Sequence, residues 1–219
     1  MLMIKKRVTY AFLEFLRGRY DPTRPFELRH KFSGMTICEK ILVKSQDFNT
    51  LWMYSWGRQP TCTSERTMYT KSLAKFEAIC AYDDGNLLVN LLNDSTNSNL
   101  VWECPKGRMN KREQPYETAI REFEEETGLT NGDYTMMPDE GTVEYEFSDA
   151  GLRYRYVYYL AMMNHDRDVK YDFSNTHMIT EVSAIQFMSV TAIQLIGDER
   201  LHKVIRHVIK KLKRHYNPK

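Results

Sequence analysis

The segment from Pro115 to Gly128, PYETAIREFEEETG, leaves the chain little choice of local structure. Proline suits the first turn of a helix, where its missing N–H costs nothing, and glycine suits the left-handed position just past the end, so a helix of about 12 residues lies between them. Within it Glu122, Glu125 and Glu126 stand at i, i+3 and i+4 and share one face, while Tyr116, Ile120 and Phe123 form an apolar stripe beside it. One side packs and the other gathers negative charge. Carboxylates this close repel unless they are protonated or neutralised. A hard divalent cation such as Mg2+ or Mn2+ neutralises them through the oxygen ligands it prefers. A site of this kind suits a substrate that carries phosphates.

A plainer reading of EFEEE is a solvated acidic helix face held by an Arg121–Glu125 pair. The longer frame argues against it. From Gly107 to Leu129 the chain reads GRMNKREQPYETAIREFEEETGL and fits the pattern G-x5-E-x7-R-E-U-x-E-E-x-G-U, with U a bulky apolar residue, without a mismatch. Seven fixed positions filled from average composition would coincide on the order of once in 10^8 starting points. In this segment the chain resembles the Nudix hydrolases. The resemblance implies that Glu122, Glu125 and Glu126 hold metal, that Arg121 orients a glutamate, that the Gly107 carbonyl completes the coordination, and that Glu113 supports the loop and helix electrostatically.

The 219 residues allow one large domain or two small ones, and a net charge of +2 supports no global electrostatic claim. Cys38, Cys62, Cys80 and Cys104 are widely spaced, with no C-x2-C pair, so they read as reduced and mostly buried rather than as a zinc site. The opening MLMIKKR is too short an apolar run for a signal peptide, and no window approaches 18 apolar residues. The expectation is a cytosolic protein with no membrane insertion.

Patterning divides the chain in three. Met1 to Arg7 reads as a short strand and Val8 to about Asn93 as helices. Thr36 and Glu39 form a capping box, and Phe48, Leu51, Trp52 and Ser55 lie on one helical face after Asp47. A further helix starts at Ser64, and Leu87, Leu88, Leu91 and Leu92 make a short amphipathic piece. The polar run Asp94 to Asn99 marks a boundary. Beyond it, Leu100 to Cys104 reads as a strand. Thr142 to Phe147 and Leu152 to Met163 read as a hairpin around Ser148-Asp149-Ala150-Gly151, Glu181 to Met188 as another strand, and Leu201 to Leu212 as an amphipathic helix.

AFLEFLRGRYD, FSGMTICEKILVKSQDFNTLW, WECPKG and AIREFEEETGL are similar to the mRNA-decapping Nudix proteins of nucleocytoplasmic large DNA viruses, over Ile4 to about Tyr216. That resemblance implies an α+β chain: a Nudix fold, with a mixed β-sheet in an α/β/α sandwich, and an inserted all-helical module that contributes to RNA binding. The domain expectation is a Nudix strand at residues 1–8, the module at 9–97 and the catalytic domain at 98–219. Relatives have a complete strand and turn before the equivalent of Met1 to Arg7, so the first Nudix strand reads as missing.

The implied reaction is attack of a metal-activated water on the triphosphate bridge of a capped mRNA, releasing a methylated guanosine diphosphate and a 5′-monophosphate RNA in the host cytoplasm. Three candidates for the general base stay open: Glu181, in TEVSAIQF, which matches a glutamate used in decapping relatives, and Glu125 or Glu126 in the helix. Lys106, directly before Gly107, is the candidate for phosphate contact. Lys210, Lys211 and Arg214, with Lys203, Arg206 and Lys213, give the last helix a basic face that binds RNA or merely complements the helix dipole. Diphosphoinositol polyphosphates and dinucleoside polyphosphates are the alternative substrates.

Overall fold

The computed structural model describes residues 1–137, 141–149, 152–166, 168–196 and 199–216. The chain divides into two compact units, one of Lys6–Val101 and the other of Met1–Lys5 together with Trp102–Lys219.

The first unit is helical: α1 (Tyr10–Leu16), α2 (Pro25–Ser33), α3 (Ile37–Ser45), α4 (Phe48–Trp56), α5 (Thr63–Ala81) and α6 (Asn86–Asp94). Local signals place these helices. Thr9 caps α1, Asp47 caps α4, and at α3 the Thr36 hydroxyl accepts from Glu39 N–H while Glu39 accepts from Thr36 N–H. Phe48, Leu51, Trp52 and Ser55 all end up inside, as the 3.6 period requires. Their core is aromatic: Phe15 stacks on Tyr20 at 5.2 Å and meets Phe32 and Phe76 edge-on at 5.2 and 6.1 Å. The polar run after α6 is strapped rather than loose, because the buried Lys40 ammonium donates to Ser95 O, Ser95 Oγ, Thr96 O and Asn97 Oδ1 at 2.6–3.0 Å.

The second unit supplies the strands. Strand β1 (Leu2–Lys6) stands between β2 (Trp102–Glu103) and β7 (Val182–Phe187). It runs antiparallel to β2, with Ile4 opposite Glu103, and exchanges hydrogen bonds with Met188 through Met1. Met3 and Ile4, neighbours in sequence, are both fully buried and enter different clusters: Met3 packs with Ile193, Leu201 and Ile205, and Ile4 with Met178 and Val182. A strand covered on both faces shows no polar alternation, which is why LMI reads as a plain apolar run. The other strands are β3 (Tyr134–Met136) with β6 (Ala161–Met163), and β4 (Thr142–Asp149) with β5 (Leu152–Tyr159), both antiparallel. The hairpin expectation therefore needs amending. Leu152 to Met163 is two strands, the first pairing back on β4 and the second crossing to β3. Ala150 and Gly151 lie outside the described residues. Helices α7 (Pro115–Thr127), α8 (Thr176–Glu181), α9 (Val190–Ile196) and α10 (Glu199–Tyr216) complete this α+β unit.

Two expectations are corrected. Alternation makes Glu181 the first residue of a strand, but it closes α8. Asn175 accepts from Met178 N–H and starts a helical turn that holds until Val182, where the alternation begins. The cysteines are free but not mostly buried. Cys38 and Cys62 are exposed and Cys80 and Cys104 half-buried, because Cys38 lies on the outer side of α3 and Cys62 precedes α5.

Candidate active site

Helix α7 does what its two faces require. From the apolar stripe, Tyr116 meets Tyr159 at 5.4 Å and Phe123 meets Tyr134 at 4.8 Å, both edge-on. Such pairs contribute about 0.5–1.5 kcal/mol each beyond their buried area, and they fix the roll of the helix against the strands. Gly128 takes the left-handed backbone, φ 67°, that closes the helix, its N–H bonding to Glu124 O. Asn175 Nδ2 then donates to Glu125 O at 3.0 Å and ties α8 to the end of α7.

The opposite face is organised around one guanidinium. Arg121 donates through Nε and Nη2 to both oxygens of Glu113, at 2.7 and 3.0 Å, and through Nη1 to Glu122 at 2.7 Å and Glu125 at 2.9 Å. Nη2 also reaches Arg108 O at 3.0 Å. The loop before the helix is shaped for this. A tight turn closes with Glu113 N–H on Asn110 O, its third residue Arg112 taking left-handed backbone at φ 75°, and Asn110 N–H bonds back to Glu113 Oε2. The Arg121 fork and that N–H hold the Glu113 carboxyl far below the ordinary carboxylate range, at about 2.

Glu122 and Glu126 behave differently. The Glu122 carboxylate packs directly on Gly107, in the space a Cβ would occupy, so any larger residue at position 107 would displace it. Burial raises the Glu122 carboxyl above its ordinary value; Glu125 and Glu181 raise it further, and Arg121 only partly offsets them. Glu126 is 1% exposed, and its Oε2 accepts from Lys106 N–H at 2.8 Å. The chain thus brings Gly107, Glu113, Arg121, Glu122, Glu125 and Glu126 together, with Glu181 near enough to act electrostatically on Glu122. His177, which no motif singles out, lies 3.9 Å from Glu125.

The arrangement can be tested for fit to a divalent cation. Among the described residues no three His, Cys, Asp or Glu side chains already converge as a metal cluster, since Arg121 stands among the glutamates. The donor chemistry nevertheless fits. Every candidate ligand is an oxygen, Gly107 leaves room for the Glu122 carboxylate against its backbone, and that carboxyl is raised by burial first and by Glu125 and Glu181 after it, with Arg121 a partial offset.

The candidate RNA contacts fare unevenly. Lys106 is mostly covered, its Nζ 3.1 Å from Glu103 and 5.3 Å from the Tyr156 ring centroid. Arg200, absent from the sequence-based candidates, lies 5.3 Å from the same ring. On α10, Lys203 donates to Glu144 O at 2.7 Å, while Lys210 is exposed and Lys211 half-buried farther along. The Arg214 side chain lies outside the described residues.

Comparison with known proteins places this site in context. Residues 77–212 match the model of the NUDIX domain. The mRNA-decapping protein g5R of African swine fever virus, from a Namibian warthog isolate, is 32% identical over 206 residues, covering 90% of this chain and 80% of the relative. The same protein from a Kenyan pig isolate is 30% identical over 206 residues. A putative mRNA-decapping protein of Acanthamoeba polyphaga mimivirus is 27% identical over 204 residues, 83% of this chain and 56% of the relative.

Proposed function

The chain belongs to the Nudix family, and from that premise we propose that it hydrolyses the 5′ cap of mRNA, cutting the triphosphate bridge to give a methylated guanosine diphosphate and a 5′-monophosphate RNA. The observation that carries this reading is the joint one. The glutamate–arginine network on α7 is complete, in a chain whose relatives are named for decapping over most of their length.

The residues divide the task. Glu122, Glu125, Glu126 and the Gly107 carbonyl would hold Mg2+ or Mn2+. When bound, the cation supplies Lewis acidity, acidifying the attacking water and neutralising charge on the phosphoryl oxygens. Arg121 fixes the Glu122 and Glu125 carboxylates, and Glu113, kept ionised, fixes Arg121. Glu126 is oriented by Lys106 N–H, which also pins the turn carrying Gly107. Glu181 takes the water's proton; its influence on the Glu122 carboxyl supports its nearness. Glu125 is the rival for that role. Lys106, Lys210, Lys211 and Arg214 are assigned to the RNA phosphates, and the inserted module, residues 9–97, to further RNA contact. No helix among the described residues is long and apolar enough to cross a membrane. The reading places the protein where capped messages are translated, in the cytoplasm of the host cell.

Cap-labelled RNA, with and without Mn2+ or Mg2+, tests the activity, beside free cap dinucleotide and a diphosphoinositol polyphosphate. The expected result is metal-dependent release of methylated guanosine diphosphate from RNA, abolished in Glu125→Gln. Hydrolysis of the small molecules alone would replace the decapping reading. Near-normal turnover in Glu181→Gln would remove Glu181 as base.

A further inference from the structure

One face of the β4–β5 ribbon carries a run of paired aromatic rings. Its register sets Tyr145 opposite Tyr156 and Phe147 opposite Tyr154, and alternation places these four rings on one face while Glu144, Glu146 and Arg155 take the other. The rings are ordered among themselves. Phe147 stacks on Tyr154 at 5.0 Å and 14°, and on Tyr156 at 5.3 Å and 26°. All four are half-exposed, and none belongs to the hydrophobic clusters of the unit. Cations from other elements are drawn up against them: Lys106 and Arg200 over Tyr156, each at 5.3 Å, and Lys203 over Tyr145 at 5.9 Å. Lys106 joins this face to the glutamates, since its N–H holds Glu126.

We propose that this face is the platform for the first nucleotides of the RNA body, with bases stacking on Phe147 and Tyr154 and phosphates lying against Lys106, Arg200 and Lys203. The proposal rests on the decapping reading for its choice of RNA as occupant. Aromatic rings interleaved with cations are the chemistry of single-strand binding, because every base offers a π face and every linkage a negative charge. Charge also decides which end of the substrate fits. A guanine methylated at N7 carries positive charge on its ring, and a face already set with Lys106, Arg200 and Lys203 repels it. Neutral bases joined by phosphates are attracted. The cap therefore binds elsewhere, and the chain leaving it runs over the ribbon.

The test uses an uncapped, 5′-fluorescent single-stranded RNA of about 12 nucleotides, within the usual span of such sites. Anisotropy is read in EDTA so that binding is independent of hydrolysis. Tyr154→Ala weakens binding about tenfold, and Tyr154→Phe keeps it, because stacking needs the ring and not the hydroxyl. Arg200→Gln weakens binding and lowers the salt slope by about one. Free methylated cap dinucleotide binds Tyr154→Ala as it binds wild type. A folded Tyr154→Ala with wild-type affinity for uncapped RNA overturns the platform, and so does a loss confined to the cap dinucleotide. Should Tyr154→Ala misfold, wild-type affinity and salt slope in Arg200→Gln overturn it instead. Wild type that decaps while these variants bind RNA normally refutes the platform alone. RNA binding through the platform with caps left intact refutes decapping alone.

Discussion

The helical unit, Lys6–Val101, is held by one continuous core rich in aromatic rings, whereas in the unit bearing the glutamates the described residues pack in small clusters on either side of β1, with Leu129, Tyr134 and Val143 buried apart from them. Charged groups show the same contrast. In the helical unit the buried Glu39 and Lys40 are fully used in tying segments together: Glu39 accepts from both the N–H and the hydroxyl of Thr9 and Thr36, and Lys40 straps the loop after α6. On α7 several carboxylates share one guanidinium, and Glu122 sits half-buried with its charge disfavoured by burial and by Glu125 and Glu181. Buried charge stabilises when its partners are complete and becomes a reactive resource when they are not.

Substitutions can break that contrast. After Glu125→Gln, the largest effect is expected for Glu122→Gln. Cap hydrolysis should fall about 10^2- to 10^3-fold, the range for removing one group that stabilises charge in a transition state, while Tm stays level or rises because an unfavourable charge is gone. A Tm loss comparable to that of a core mutant would make the network structural. Next comes Phe15→Ala in the helical core, costing about 3–5 kcal/mol, or roughly a 10 °C drop in Tm for a chain of this size, with turnover per folded molecule little changed. Scanning calorimetry beside single-turnover assays separates the two behaviours. Glu39→Ala follows at about 1–3 kcal/mol, since it leaves the buried Thr9 N–H without its acceptor, and again leaves turnover intact.

Acid titration in EDTA separates two carboxyls within the site itself. Glu113 is held at about 2, so its contribution is complete above the ordinary carboxylate value and is lost as pH falls through about 2. Glu122 is raised, so the folded form binds its proton more readily than the unfolded one, and stability declines as pH rises from the ordinary value through the raised one. Melting curves should lose part of their low-pH dependence in Glu113→Gln, the rest coming from other lowered carboxylates such as Glu65 and Asp47, and should flatten at higher pH in Glu122→Gln; the same change of slope in both variants would mean one shared titration. The smallest effect concerns thiols. Cys62, exposed and lowered by its contact with Ser64, should alkylate before Cys104, which burial pushes up to about 12. Mass spectrometry of briefly alkylated protein gives the order.

Much of this was legible beforehand where a local rule acts alone. Pro115, Gly128, the Thr36–Glu39 box and the buried face of α4 follow from helix geometry and capping, which involve residues within one or two turns. The misreadings are equally specific. Glu181 looks like a strand residue because VSAIQF alternates, and nothing in six residues reveals that Asn175 starts a turn of helix running into it. Leu152 to Met163 looks like one strand, and only pairing partners divide it between β4 and β3. Lys106 was legible as a residue beside the site but not as one covered by Glu103 and Tyr156.

By itself the sequence determined the helix that carries the glutamates, their shared face, and the Nudix frame from Gly107 to Leu129, because those depend on spacing along one chain segment. The tertiary structure decided how the charges are partnered. It set Arg121 between Glu113, Glu122 and Glu125, pressed Glu122 onto Gly107, hung Glu126 on Lys106 N–H and brought Arg200 and Lys203 to an aromatic ribbon. Arg200 and Lys203 come from a helix far along the chain from the ribbon, and even Glu113, Gly107 and Lys106 reach α7 only through the path of a loop, which no period along the chain encodes.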